Sequence, residues 1–105
     1  MKEISKSDWK LFNERLPLWQ ENYMERLINE YIDILNSQGD ASERFWKLED
    51  RIKIDRKNPG VILQKRKLEA VWDIAMLVGQ KVITMKDLEG FSPELIEEVE
   101  VILNR

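Results

Sequence analysis

The chain has 105 residues and a mass of 12.6 kDa, which is enough for one hydrophobic core and too little for two ordinary domains. Its composition is 43% hydrophobic and 35% charged with only four Gly and three Pro, which excludes disordered, collagen-like and low-complexity proteins and favours charged, regular helices. Cysteine and histidine are absent, which excludes disulfides, the usual zinc sites and imidazole bases, and the net charge of −3 gives no overall attraction to nucleic acid.

The first predicted helices lie on either side of Pro17. Ser5 or Ser7 can cap a short helix that ends near Glu14, and Pro17 then bends or restarts the chain. From Leu18 to Asn36 the apolar residues recur at helical spacing over about half of the helix circumference. This pattern predicts a long central helix, and a stripe of that width usually contacts two neighbours.

Two further helices are predicted around a turn in the middle of the chain. Asp40, or alternatively Ser42, can cap a helix over residues 41–57. The sequence Asn58-Pro59-Gly60 is typical of a turn, and helical periodicity over residues 61–79 predicts the next helix. Its first three residues could also form a strand, but nothing else in the chain offers a partner strand.

The last third of the chain carries the clearest start signals. Thr84 with Asp87 resembles a capping box that opens a single turn over residues 85–89. Ser92-Pro93-Glu94 combines an N-cap, a proline at the first helical position and a carboxylate near the positive end of the helix dipole. We therefore expect a compact all-α bundle of five or six helices, forming one domain over residues 1–105.

Membrane insertion is not expected. The longest uninterrupted apolar run, from Ile74 to Val78, is far shorter than the roughly 18 to 20 residues that a membrane-spanning helix needs. The first residues lack the apolar core of a signal peptide. These two observations predict a cytoplasmic protein without a membrane role.

Catalytic chemistry has no recognisable motif in this chain. The two closest glycines are eleven residues apart, so neither the P-loop nor the dinucleotide pattern can be written. The carboxylates of Glu94, Glu97, Glu98 and Glu100 could meet, but most lie away from the apolar stripe of their helix and are expected in water. We expect no enzyme, and we assign no catalytic, metal-binding or cofactor-binding residue.

Charge is distributed unevenly along the chain. Residues 51–67 carry a net charge of +6, and the remainder of the chain carries −9. The seven cations of that segment are Arg51, Lys53, Arg56, Lys57, Lys65, Arg66 and Lys67. They could converge on a basic contact patch for phosphates or an acidic partner, or they could pair with acidic helix faces and complement a helix dipole.

Four tryptophans form the second conspicuous feature. Trp19 and Trp72 lie on apolar stripes and are expected in the core. Trp9, Phe12 and Trp46 could form an exposed aromatic contact patch, or they could anchor the N-terminal helix on the core.

Four short segments resemble a known group of proteins. Residues 8–12, 16–24, 45–49 and 58–61 resemble small, uncharacterised, all-helical bacterial proteins of similar length. Some members of that group are labelled multidrug transporters, a label that the lack of a membrane-spanning segment contradicts. The resemblance implies a bacterial cytoplasmic protein and supplies no activity, ligand or catalytic residue.

These observations predict a helical protein that acts through protein–protein contacts, with a homodimer as one form of such contact. The alternative is a nucleic-acid-binding regulator that uses the basic segment 51–67, which has less support because the protein as a whole is acidic.

Overall fold

A computed structural model describes residues 3–105 and contains four α-helices in that range. They are α1 (Lys6–Leu35), α2 (Ala41–Asp55), α3 (Ala70–Gly79) and α4 (Pro93–Leu103). Two short 3-10 helices, Lys67–Glu69 and Met85–Leu88, precede α3 and α4. The described residues contain no β-strand, which confirms the all-α prediction, and none of their helices has the length and apolarity to cross a bilayer.

The expected count of five or six helices was wrong because α1 runs without interruption through Pro17 and because the single turn expected over residues 85–89 is a 3-10 helix. A proline inside a helix removes one hydrogen bond and costs about 3 kcal/mol. The apolar side chains on both sides of it, Phe12, Leu16 and Trp19, are nevertheless buried on one continuous face, while Pro17 itself is exposed. Burying each of these side chains contributes about 1.5–3 kcal/mol, so their packing outweighs the cost of the proline.

The caps of the helices follow the sequence signals. The Ser5 hydroxyl accepts a hydrogen bond from the backbone N–H of Asp8 at 3.2 Å, and Ser92 does the same for Leu95 at 3.2 Å. The Asp87 carboxylate accepts the backbone N–H of Thr84 at 2.8 Å, as a capping box requires. Asp40 occupies the position before α2, although its side chain makes no capping hydrogen bond.

The helix predicted over residues 61–79 begins only at Ala70. Before it, residues 62–66 have no regular secondary structure and run past the first half of α1. There Lys65 donates to the Asn13 side chain at 2.6 Å, and Lys67 lies 3.7 Å from the Glu3 carboxylate. A helix starting at Val61 would place three consecutive cations in its first turns, against the positive end of the dipole, which explains the late start.

The core lies at one end of the molecule, where the first half of α1 packs with α3 and α4. We call residues 3–23 and 58–105 the body. Its fully buried large side chains are Phe12, Ile74, Leu77, Leu88 and Val99. The Asp8 carboxylate ties α1 to α4 by accepting the backbone N–H of Ser92 at 2.9 Å and its hydroxyl at 2.5 Å.

The second half of α1 extends beyond the body and pairs with α2 as an antiparallel hairpin. We call residues 24–57 the arm. The whole of α1, with 30 residues, spans about 45 Å, which accounts for the elongated shape of the molecule, 52 × 28 × 23 Å. Because the arm contains only two helices, each of them has a single helical neighbour there.

Candidate interaction surface

One side of the arm is apolar and faces water. We call it the apolar face, and its members are exposed over 39–60% of their surface. They are Met24, Ile28, Ile32 and Leu35 on α1, with Phe45 and Ile52 on α2 and Trp46 at the outer edge beside the Phe45 ring. Large contiguous apolar patches on a protein surface are often functional, so this face is the candidate interaction surface.

Helical spacing explains why these side chains are left uncovered. At 100° per residue, Leu27, Tyr31 and Ile34 point from α1 toward α2 and are buried or half-buried. Met24 and Ile28 point to the adjacent side, and α2 cannot cover them because it already contacts the first side. The apolar stripe occupies about half of the circumference of α1, and α2 covers only about half of that stripe.

A groove between the two helices runs along the apolar face. At its base Met24 and Ile28 of α1 line it together with Ile52 of α2. Further along, a second hollow between Phe45 and Ile52 is lined by α2 alone and includes the charged side chains of Glu49, Lys53 and Arg56. Phe45 and Trp46 also contact each other edge to face, with ring centroids 4.9 Å apart. The groove is thus bordered by large side chains from both helices.

The pairing of the two arm helices is held by a polar cluster beneath the groove. The Tyr31 hydroxyl donates to the buried Asp55 carboxylate at 2.7 Å, and Arg51 contacts Asp55 at 3.0 Å and Glu30 at 2.7 Å. Burial, together with the hydrogen bond to Asp55, raises the pKa of Tyr31 to about 12. The cluster fixes one register between the helices, and the groove therefore has a defined shape.

The aromatic contact patch expected from Trp9, Phe12 and Trp46 does not form. Phe12 is fully buried, and half-buried Trp9 lies against it with ring centroids 6.1 Å apart. Trp46 lies beside the far end of α1, about 35–40 Å away along the helix axis. Trp9 thus anchors the start of α1 on the core, which was the alternative expectation, and Trp46 belongs to the apolar face.

Trp72 was expected in the core and is instead 44% exposed, while Trp19 is buried as expected. On α3, the neighbouring residues Val71, Ile74 and Ala75 occupy the buried side. The Trp72 side chain therefore points away from the buried side of α3.

The cations of the basic segment lie in two separate places. Arg51 contacts Glu30 in the arm, whereas Lys65 contacts Asn13 in the body, and these two positions on α1 are about 25 Å apart. Lys53 is also paired, with Glu49 at 3.2 Å. The expected patch of Arg51, Lys53, Arg56, Lys57, Lys65, Arg66 and Lys67 is therefore not one contiguous surface.

An open groove between the starts of α1 and α4 is lined by several carboxylates. Glu3, Asp8, Glu94 and Glu98 border it. Asp8 is engaged by the two hydrogen bonds from Ser92, so its carboxylate serves to join the helices. Within residues 3–105 no group of acidic side chains has the arrangement needed to hold a metal ion.

The sequence contains part of the signal for the apolar face. Its α1 stripe was wide enough for two helical neighbours, and α2 has its own apolar stripe. Only the structure shows that the second half of α1 has one neighbour and that the uncovered parts of both stripes lie on the same side.

Comparisons of the chain with protein-family models, with curated proteins and with solved structures find no match. The resemblance of its four short segments to small bacterial helical proteins therefore stays a prediction.

Proposed function

We propose that this protein acts by protein–protein contact through the apolar face of its arm. The observation that carries the proposal is the exposure of seven large apolar side chains on one side of a two-helix layer. A partner that supplies an amphipathic helix would lay its apolar side chains in the groove between Ile28 and Ile52.

The contrast between the two sides of the arm supports this proposal. The side opposite the groove carries the ion pair between Glu30 and Arg51, the exposed charges of Asp33 and Lys47 and one exposed apolar side chain, Ile54. Helices with one polar and one apolar side place the apolar side against other protein. The arm therefore has one side suited to water and one suited to a partner.

The preformed groove favours tight contact as well. The hydrogen bonds of Asp55 to Tyr31 and Arg51 hold α1 and α2 together before any partner arrives. A surface ordered in advance loses less conformational entropy when it binds.

The proposal is tested by site-specific photo-crosslinking in the native cells of the protein. A photoreactive amino acid replaces Ile28 in the groove or, as a matched control, Ile54, which is exposed on α2 and points away from the groove. We expect a discrete protein adduct from position 28 and much less from position 54. Equal adduct from both positions, or none from position 28, would refute the proposal.

A further inference from the structure

We propose that the partner on the apolar face is a second copy of this chain, and that the two arms pack antiparallel to form a four-helix bundle. This inference rests on the proposed function, because it names the partner of the same surface. Two antiparallel hairpins placed groove to groove supply each arm helix with the second neighbour that its wide stripe requires.

The size of the apolar face matches what a dimer needs. Its exposed fractions of 39–60% correspond to roughly 600 Å² of apolar side-chain surface on each copy. A stable interface buries about 800 Å² on each partner, of which about 65% is apolar in homodimers. Burial of the apolar face therefore supplies the apolar share of such an interface without any further segment.

The charge of the arm permits self-association. Residues 24–57 contain seven Lys or Arg and eight Asp or Glu, so two arms approach each other nearly neutral. A contact with an acidic or a basic partner would instead favour an arm of the opposite charge.

The shape of the molecule selects the antiparallel arrangement. The molecule measures 28 × 23 Å across its long axis, whereas a layer of two helices is only about 10–12 Å thick. Arms packed in the same direction would bring two thick bodies to one end, where they compete for space. Arms packed in opposite directions place one body at each end of the bundle.

A pair of opposite charges beside the groove fits the antiparallel arrangement. Glu49 lies near the middle of α2, and Lys53 lies one turn further toward its end. Within one copy they are 3.2 Å apart with the Lys53 and Glu49 side chains 63% and 37% exposed, so water screens their contact and it contributes little. When the two α2 helices cross in opposite directions, Glu49 of each copy faces Lys53 of the other.

Sedimentation equilibrium of the full chain tests the dimer and its surface. We expect the wild-type protein to change from monomer to dimer over about three decades of concentration. Ile52→Lys should weaken the dimer by about tenfold or more, whereas Ile54→Lys should change it by less than about twofold. Circular dichroism shows that each variant remains helical, so a loss of dimer is not a loss of fold.

The direction of the arms is tested with single cysteines, since the natural chain has none. In the antiparallel dimer, Glu49→Cys on one copy faces Lys53→Cys on the other, so a mixture of these two variants should form an intermolecular disulfide under mild oxidation. Gln38→Cys at the tip of the arm should form little, because the two tips are then at opposite ends. A reversed result would refute the antiparallel arrangement.

Charge exchange gives an independent check of the same arrangement. Lys53→Glu alone should weaken the dimer, and adding Glu49→Lys should restore it because the exchanged pair meets again across the interface. Failure of the second substitution to restore the dimer would count against the facing of Glu49 and Lys53.

The outcomes separate this inference from the proposed function. The purified chain could stay monomeric at every concentration while the photoreactive residue at position 28 crosslinks to a different protein in cells. That result would refute the dimer and support the proposed contact surface. If the chain dimerises but Ile52→Lys has no effect, the dimer uses another surface and this inference is refuted.

Discussion

The body and the arm share α1, yet they bury their side chains to very different degrees. In the body the first half of α1 is covered by α3 and α4, and Phe12 and Leu77 are fully buried. In the arm the same helix has one partner, and Leu27 is its only apolar residue that is buried. The difference shows that the number of neighbours decides how much of an apolar stripe is covered.

The largest expected contrast comes from removing one phenylalanine in each region. Phe12→Ala should lower the free energy of unfolding by about 3–5 kcal/mol, because it leaves a cavity between Trp9 and Trp19. Phe45→Ala, at a side chain that is 60% exposed, should lower it by less than about 1 kcal/mol in dilute protein. Urea unfolding followed by tryptophan fluorescence measures both, and equal losses would contradict the division into body and arm.

A smaller effect is expected where the body joins the arm. A Cβ atom on Gly60 would lie 2.3 Å from a ring carbon of Tyr23 and 2.8 Å from Val82, so Gly60→Ala should destabilise the protein by about 2 kcal/mol. Gly79→Ala is the matched control, because its Cβ would meet only Leu103 at 3.5 Å. The control should be neutral or stabilising by up to about 1 kcal/mol, since alanine favours helix. Thermal unfolding compares the two, and similar melting temperatures would show that the joint is not tightly packed.

The smallest contrast concerns one buried carboxylate from each region, Asp73 in the body and Asp55 in the arm. Asp73 Oδ2 has no hydrogen-bond partner among residues 3–105. Burial, followed by repulsion from Glu69, raises the pKa of Asp73 from 3.8 to about 6. At pH 7 its charge therefore costs stability, and that cost is relieved as the pH falls through 6 toward 4.

Substitution by asparagine should consequently act with opposite sign in the two regions. Asp73→Asn should raise the free energy of unfolding at pH 7 by about 1–2 kcal/mol. It should also abolish the increase in that free energy which the wild-type protein shows when the pH is lowered. Asp55→Asn should lower it by about 1–2 kcal/mol, because Arg51 and Tyr31 lose a charged partner. Urea titrations at pH 7 and pH 5 measure both, and the same sign for both variants would contradict the distinction.

Local signals in the sequence were sufficient to predict several elements. The start of α4 at Ser92-Pro93-Glu94 and the capping box at Thr84 depend only on neighbouring residues, so they are readable without a structure. The continuity of α1 through Pro17 could not be predicted in this way. It depends on burial of Phe12 and Trp19 by residues that are distant in sequence.

The candidate site shows the same limit. Its residues belong to stripes that the sequence displays, including those of Ile28 and Ile52. The sequence does not show that the second half of α1 projects past α3 and α4, since this depends on where the chain turns at Gly60 and returns along the body. Periodicity predicted the apolar sides, and only the arrangement of helices determines which of them remain exposed.

The unbroken course of α1 has a consequence for what a pair of these molecules could do. Because one continuous helix joins each body to its arm, the antiparallel dimer that we propose would act as a rigid spacer with identical bodies at its two ends. If each body bound a target, a ligand that presented two such targets at the matching distance would be held far more tightly than a ligand that presented one.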